Sequence, residues 1–385
     1  MEAFAEHKDC KFVAVADVYE PYLDRAQDTY GKDLMAVADY RALLDRDDID
    51  VIAIASPDHW HAIHAINAMA AGKDVYVEKP LAATIHEGRQ MVEAAKKFGK
   101  IAQVGLHRRS MSLYHRLKEF MDTGKLGKVT VSRAYRLNNM YPAGIGKKKS
   151  STPPAGFDWD MWLGPRAEQP YQDNIAPYKF RWWQGFSSQV GNWGVHYFDA
   201  IRWMLGEDAP ASINAFGGRF AIDDDRTIPD TAQATFEMPG KSLITFGQFE
   251  ATSNKALAHG EIEIRGTQGT VYASKTGYKV LKEKAGQFQE KEKRGAESEL
   301  DLNEPNAVAT MKHARNFLDC VKSREEPNCS MLEGHRSTIF AHAANISLAT
   351  KSRLNWDAEN EKFDNDAAND MLHYEYRKGF ELPKF

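Results

Sequence analysis

Val75-Tyr76-Val77-Glu78-Lys79-Pro80-Leu81 runs an unbroken apolar stretch straight into a charged pair and a proline. An apolar run without alternation suits a strand buried on both faces, as in a parallel sheet covered by helices. The neighbouring sequence repeats the pattern. Upstream, Val51-Ile-Ala-Ile-Ala55 is a second such run, and a helix from about Asp58 to Ala71 follows it, stopped by Gly72. Phe12-Val-Ala-Val-Ala16 is a third, with Pro21 suited to the first turn of the next helix. Downstream, Thr84 and Glu87 make a T-x-x-E capping box, opening a helix with Met91, Val92, Ala95 and Phe98 on one side. Gly99 ends that helix, and Ile101-Ala-Gln-Val104 is a further short strand. Strands separated by helices of this length imply right-handed crossovers and a parallel sheet. Residues 1–106 therefore read as a doubly wound α/β domain.

Beyond residue 106 the grammar changes. A helix from Tyr114 to Thr123 leads into an extended strand around Lys128 to Arg136. Residues 140–190 are rich in Pro, Trp, Tyr and Lys, too long for a plain connection and so expected to be functional. From Ala211 to Lys282 strands follow one another, turned at Pro239-Gly240 and at Gly266-Thr-Gln-Gly269. Lys282 to Glu299 reads as a polar loop. Two helices come after it, the second opened by Ser330 and Glu333 in another capping box. Residues 107–385 are thus expected to form an α+β domain around a large open, mainly antiparallel sheet, one face of which needs covering by helices or another subunit.

Composition narrows the function. A net charge of −4 over 385 residues gives no electrostatic reason to expect nucleic acid or an anionic membrane surface as partner. Cys10, Cys320 and Cys329 share no metal-ligand spacing and read as reduced structural thiols. No run of about 18 apolar residues occurs, so no membrane span is expected. Met1-Glu-Ala-Phe-Ala-Glu-His7 lacks the basic start and apolar stretch of a signal peptide. A cytoplasmic protein is expected, with an exported form left open because this beginning does not look natural.

Asp17 closes the first apolar strand. In a dinucleotide fold an acidic residue there accepts hydrogen bonds from the adenosine ribose, and no Arg follows to receive a 2′-phosphate, which favours NAD over NADP. The alternative is that Asp17 only caps the next helix. A complete fingerprint would place G-x-G-x-x-G about 20 residues upstream. Only 16 residues precede Asp17, and none is glycine; Gly144 and Gly146 form the sole G-x-G, in the wrong context. The expectation is a chain that starts inside the first helix, short of its first strand. An upstream-extended form should then bind NAD well and the 385-residue form poorly.

Three stretches carry a resemblance: Ser56-Pro-Asp-His-Trp-His61, Tyr76-Val-Glu-Lys-Pro-Leu81 and Gly191-Asn-Trp-Gly-Val-His-Tyr-Phe-Asp199. In order and spacing they resemble the glucose–fructose oxidoreductase / inositol dehydrogenase / MocA (Gfo/Idh/MocA) family over nearly the whole chain. Gly266-Thr-Gln-Gly-Thr270 and Trp356-Asp357 look like later landmarks of its sugar-processing branch. The resemblance implies a Rossmann-type domain, NAD, a carbohydrate or cyclitol substrate, and homodimers or homotetramers joined through the second sheet.

Site roles follow from the resemblance, and chemistry supports them. Lys79 is at the carboxyl end of a strand, where doubly wound sheets bind ligands, and its ammonium can stabilise oxyanion character as hydride leaves. Glu78 would position it, and Pro80 permits a cis bond before it. His196 is the general acid/base candidate. Asn192, His196 and Asp199 fall on one face if the segment is helical. The family more often has Asp where this chain has Asn192, and a neutral amide cannot raise the pKa of His196 as a carboxylate would. Ser56, Pro57, His59, Trp60 and His61 are expected beside the nicotinamide, with cofactor-pocket packing preferred over a zinc site for His59 and Trp60; no metal is expected. For substrate contacts, Arg181 and Trp182 stand against core packing or a subunit contact, His107 and Arg109 against an interdomain ion-pair cluster, and His259 against a sheet-surface role. The expected reaction is hydride transfer from a secondary hydroxyl of a sugar, glycoside or inositol to NAD. Its rivals are an NAD-recycling glycoside-cleaving enzyme working through a keto-sugar, and a non-catalytic sugar-binding relative.

Overall fold

The computed structural model describes residues 1–284, 286, 298–301 and 305–385. Asp74–Val77 is buried at every position, as its unbroken apolar pattern requires, and lies between Val51–Ile54 and Ala102–Val104 in a parallel sheet. Ala14–Ala16 pairs in parallel with Met35–Val37, a strand the sequence reading passed over because it is only three residues long. Among the described residues no strand joins Ala14–Ala16 to Val51–Ile54, so the parallel strands stand in two sheets and not one. The predicted helix after Ile54 divides into a 3₁₀ turn, Asp58–Trp60, and an α-helix, His61–Ala70.

The Thr84 capping box forms. Thr84 Oγ1 accepts the Glu87 N–H at 3.2 Å, and Glu87 Oε2 accepts the Thr84 N–H at 3.1 Å. The other Glu87 oxygen accepts the hydroxyls of Tyr374 and Tyr376 at 2.8 and 2.9 Å. The segment 374–385 thereby returns across the first domain. Arg377 donates to the Gly164 carbonyl at 2.8 Å, Phe380 meets Trp60 edge-on, and Phe385 lies on Phe98.

Among the described residues eleven strands make the second sheet. It is antiparallel throughout except at its centre, where Val129–Asn139 runs parallel to Leu243–Phe249. The turns predicted at Pro239-Gly240 and Gly266–Gly269 connect antiparallel neighbours. The predicted polar loop lies largely at residues 285 and 287–297, outside the described residues; Ser298–Asp301 already pairs as a strand with Gly277–Lys282. One face of the sheet packs on helices Val195–Leu205 and Met331–Thr350, with Phe198, Phe236, Phe246 and Phe340 in mutual ring contact at the centre. Met331–Thr350 also rests on Ile85–Phe98 and so joins the two halves.

The second capping box does not form. Ser330 precedes the helix without a side-chain cap bond, because the Glu333 carboxylate is drawn to Arg109 (2.7 Å), Arg336 (2.9 Å) and Arg202. Fixed guanidinium charges outcompete one backbone N–H.

Two residues after Glu333 on the same helix, His335 Nε2 lies 2.8 Å from Glu361, which also pairs with Arg89. Burial alone would raise the Glu361 carboxyl, but the bond from His335 and the ion pair with Arg89 outweigh it and hold the pKa at about 2. A carboxyl depressed on folding contributes stability above its unfolded value and loses it as pH falls through the folded one. Denaturant midpoints should therefore fall between about pH 4.5 and pH 2, and Glu361→Gln should flatten that part of the profile. An unchanged slope in the variant would show that other carboxylates govern acid unfolding.

Candidate active site

Lys79 stands where the sequence predicts, just past the end of strand Asp74–Val77, and its bond to Pro80 is cis. Its Nζ donates to Asn192 Oδ1 at 2.7 Å and to the Asn192 carbonyl at 3.0 Å. Lys79 is half-buried at its surface but hemmed in by protein, and lost hydration lowers its pKa. Glu78 receives the Lys79 backbone N–H at 3.2 Å and abuts Gly105, where a Cβ would come within 2.9 Å of the carboxylate.

Asn192 belongs to a π-helical turn, Val190–Gly194, that runs into the α-helix Val195–Leu205. Such bulges shift side-chain phase and recur at functional sites. The predicted common face of Asn192, His196 and Asp199 is therefore broken. Asn192 turns to Lys79, while Asp199 accepts Arg109 Nε at 2.8 Å and the Ser337 hydroxyl at 2.7 Å. His196 is buried beside His107, ring centroids 5.4 Å apart, and near Trp193 at 6.4 Å. Desolvation, then the Lys79 charge, push its pKa well below the usual imidazole range. Its Nδ1 has no hydrogen-bond partner in the protein. The ring is therefore neutral at neutral pH and keeps a lone pair for a proton, while its burial makes it a weaker base than a free imidazole.

The Ser56–His61 segment is built to hold the strand ends in place. His61 spans the carbonyls of Ser56 and Pro80, at 2.8 Å from each ring nitrogen. His59 Nε2 and Trp60 Nε1 both reach the Trp162 carbonyl, at 2.9 and 3.0 Å, and burial keeps His59 neutral with a pKa of about 3. Gly164 passes so close to Trp60 that a Cβ would stand 2.1 Å from the indole. His59 and Trp60 thus clamp the 157–164 segment to the first domain, and Pro57 precedes their turn. Among the described residues no group of three or more ligating side chains could hold a metal.

Asp17 ends its strand with Oδ1 accepting the Tyr19 N–H at 2.9 Å, and burial raises its pKa to about 6. The local bond engages one carboxylate oxygen. A backbone hydrogen bond from Val18 also favours the ionised carboxylate, against the effect of burial.

The remaining candidates separate. His107 is brought to His196. Arg109 is not: it is committed to Asp199 and Glu333, the ion-pair alternative. His259 is exposed and lies edge-on to Tyr272 on the sheet. Trp182 donates to both oxygens of Glu250 at 3.1 Å, and Arg181 lies over the rings of Tyr178 and Phe180, each at 4.4 Å. Sequence reasoning missed Asp58, buried and bonded by the Ser187 hydroxyl, and also Trp193 and Arg136, whose guanidinium stacks on Trp193 at 3.7 Å. An acidic residue inside Ser56–His61 was the available signal for Asp58. A cavity of about 580 Å³ between His86, Arg89, Glu361 and His373 contains none of these residues.

Asn192 thus acts on Lys79, not directly on His196. Asn192→Asp places a carboxylate against the ammonium and should stabilise its charged form. The alkaline limb of kcat/KM for oxidation is expected to move up by about one unit, with a smaller movement of the acid limb set by His196. A shift confined to the acid limb would contradict the Lys79–Asn192 coupling.

Comparison with known proteins bears on the family and the fold. One family model, "Oxidoreductase family, NAD-binding Rossmann fold", matches residues 1–106. A second, "Oxidoreductase family, C-terminal alpha/beta domain", matches residues 112–382. An inositol 2-dehydrogenase of Salmonella typhimurium is 35% identical over 116 residues, 30% of this chain and 34% of the relative. A glycosyl hydrolase family 109 protein of Shewanella baltica is 37% identical over 112 residues, 26% of this chain and 24% of the relative. The matches therefore span only about a third and a quarter of these relatives' lengths. A levoglucosan dehydrogenase solved with NADH and levoglucosan shares the fold, with a TM-score of 0.66 at 19% identity over 92% of this chain and 94% of that one. With both domains matched in order, the chain belongs to the Gfo/Idh/MocA oxidoreductase family and carries its NAD-binding Rossmann domain.

Proposed function

We propose that this protein oxidises a secondary hydroxyl of a sugar, glycoside or inositol, with NAD as hydride acceptor. The observation that carries the reading is the nearness of two complementary groups, the Lys79 charge being felt by the His196 imidazole. The Lys79 ammonium is aimed by Asn192, and the nearby buried His196 has an unpartnered Nδ1. Lys79 donates a hydrogen bond to the reacting oxygen and stabilises the alkoxide. His196 receives the hydroxyl proton. Asp17 holds the adenosine ribose, while Ser56, Pro57, Glu78 and Pro80 border the nicotinamide side. His59, Trp60 and His61 keep that border rigid. His107, Arg181 and Trp182 face the substrate.

The outer face of the large sheet supports a homodimer or homotetramer. Phe216, Gln233, Gly247 and Tyr135 form one cross-strand row there, and Phe216 and nearby Phe220 are 73% and 72% exposed. Exposed aromatic surface of this kind commonly marks an association site. No helix among the described residues is long and apolar enough to cross a membrane.

Similar identity over similarly short stretches to a dehydrogenase and to a glycosyl hydrolase leaves two reactions to compare. The protein should be incubated at saturating NAD with a panel of sugars, sugar acids, cyclitols and aryl glycosides, recording NADH and released aglycone together. NADH accumulation without aglycone is expected. Aglycone release with no net NADH would establish the NAD-recycling cleavage and overturn the dehydrogenase.

A further inference from the structure

We infer that the substrate carries a carboxylate, received by Arg136 with Arg181 as second cation. The inference rests on Lys79 and His196 marking the reacting hydroxyl, as proposed above.

Arg136 continues the inward-facing row of strand Val129–Asn139, after Ser132 and Ala134, both fully buried. That row ends beside the π turn. There the Arg136 guanidinium lies flat on Trp193, the residue between Asn192 and the His196 helix. Stacking uses the face of the guanidinium and leaves its in-plane N–H donors pointing outward. Among the described residues no carboxylate lies within ion-pair distance of Arg136, and no protein acceptor takes a hydrogen bond from it.

Among the described residues the neighbouring carboxylates have closer partners, and Glu250, whose ionised form the Arg136 charge favours, lies beyond ion-pair distance of it. Glu250 is two residues along from Gln248, the register partner of Arg136, and its oxygens are held by Arg226 at 2.6 Å and Trp182 at 3.1 Å. Glu261 pairs with Arg108 at 3.0 Å. Asp58 is buried and receives Ser187. The remaining acidic position of the turn is absent, because residue 192 is a neutral asparagine that serves Lys79.

Arg181 is the second cation. It follows Phe180 in the turn that also carries Trp182, and its one hydrogen bond goes to the Tyr178 carbonyl at 2.9 Å. It too has no carboxylate partner among the described residues. Its neighbour Trp182 donates to Glu250, two residues along from the register partner of Arg136, which brings the Arg181 turn to the Arg136 end of the strand.

A half-buried arginine with an ordered face and unused donors is preorganised for bidentate recognition of a planar anion. Lys79 and Arg136 thus divide the substrate: one cation takes the reacting oxygen, the other an end that does not react. A neutral sugar would leave the Arg136 donors without an anionic acceptor.

The test compares matched pairs, glucuronate with glucose and galacturonate with galactose, on the NAD-loaded protein. Binding is read by calorimetry and turnover by NADH. At least one acid is expected to bind about ten- to a hundredfold more tightly than its neutral partner. Arg136→Gln should erase that ratio, and Arg136→Lys should restore part of it. Equal or weaker binding of the acids, or a ratio that survives Arg136→Gln, overturns the inference. Acid binding without NADH would instead defeat the dehydrogenase reading and leave the carboxylate site standing.

Discussion

Lys79→Ala is expected to lower kcat by on the order of a hundredfold or more, the usual consequence of removing a preorganised donor from developing negative charge. The ammonium is held by two bonds to Asn192, so its position is fixed before substrate arrives. That preorganisation is lost entirely with the side chain. NAD affinity should change far less, because Asp17 and the Ser56–Pro57 turn, proposed above to border NAD, lie on other strand ends. Calorimetry with NAD and single-turnover hydride transfer, measured on the same preparation, separate the two effects. Turnover within a few-fold of the parent would make Lys79 a structural residue and move the active site elsewhere.

The second large effect is on stability. Arg226 is fully buried, with Nε at 2.8 Å from Asp224 and Nη1 at 2.6 Å from Glu250. Asp224 also accepts the Ile145 N–H at 2.7 Å, and the loop closes that tightly only because residue 144 is glycine: a Cβ there would stand 1.9 Å from the Asp224 carboxylate. Arg226→Ala leaves two buried carboxylates facing each other without a cation. A loss of about 3–5 kcal/mol is expected, a large share of an ordinary domain's stability. Arg226→Lys should recover part of it, since it keeps the charge but not the fork. Because Glu250 also anchors Trp182, the alanine variant should loosen the turn that presents Arg181. A denaturation midpoint close to the parent's would mean that the two carboxylates find other partners or take up protons at little cost.

What the sequence could reveal depended on how local each signal was. Asp74–Val77, the Thr84 capping box and the two predicted hairpin turns are written in contiguous residues, and they appear as read. Lys79 was legible because strand end and charged pair adjoin in sequence. The Ser330 capping box was misread since its glutamate is claimed by arginines up to about 220 residues away, which no window around Ser330 contains. Asn192 was assigned to His196 by counting helical turns, and a single π turn cancelled that count. Arg109 divided between two readings because a basic residue at a domain junction looks alike whether it meets substrate or Asp199. The pairing of Arg136 with Trp193 joins a strand to a turn nearly 60 residues later, and no periodicity announces it.

The returning segment 374–385 bears on how the protein is made. Tyr374 and Tyr376 complete the acceptor set of Glu87, Phe380 covers Trp60, and Leu382 packs into the core of the first domain. A ribosome exposes Glu87 nearly 300 residues before it exposes those tyrosines. During synthesis the nucleotide domain must therefore wait with the Glu87 carboxylate half satisfied and Trp60 and Phe98 without their C-terminal ring partners, although its strands and helices are already out. Contacts of such long sequence separation form late and slowly. The interval before residue 374 emerges is then the period when the nascent chain depends most on chaperones, and when a synonymous change in translation rate would matter most.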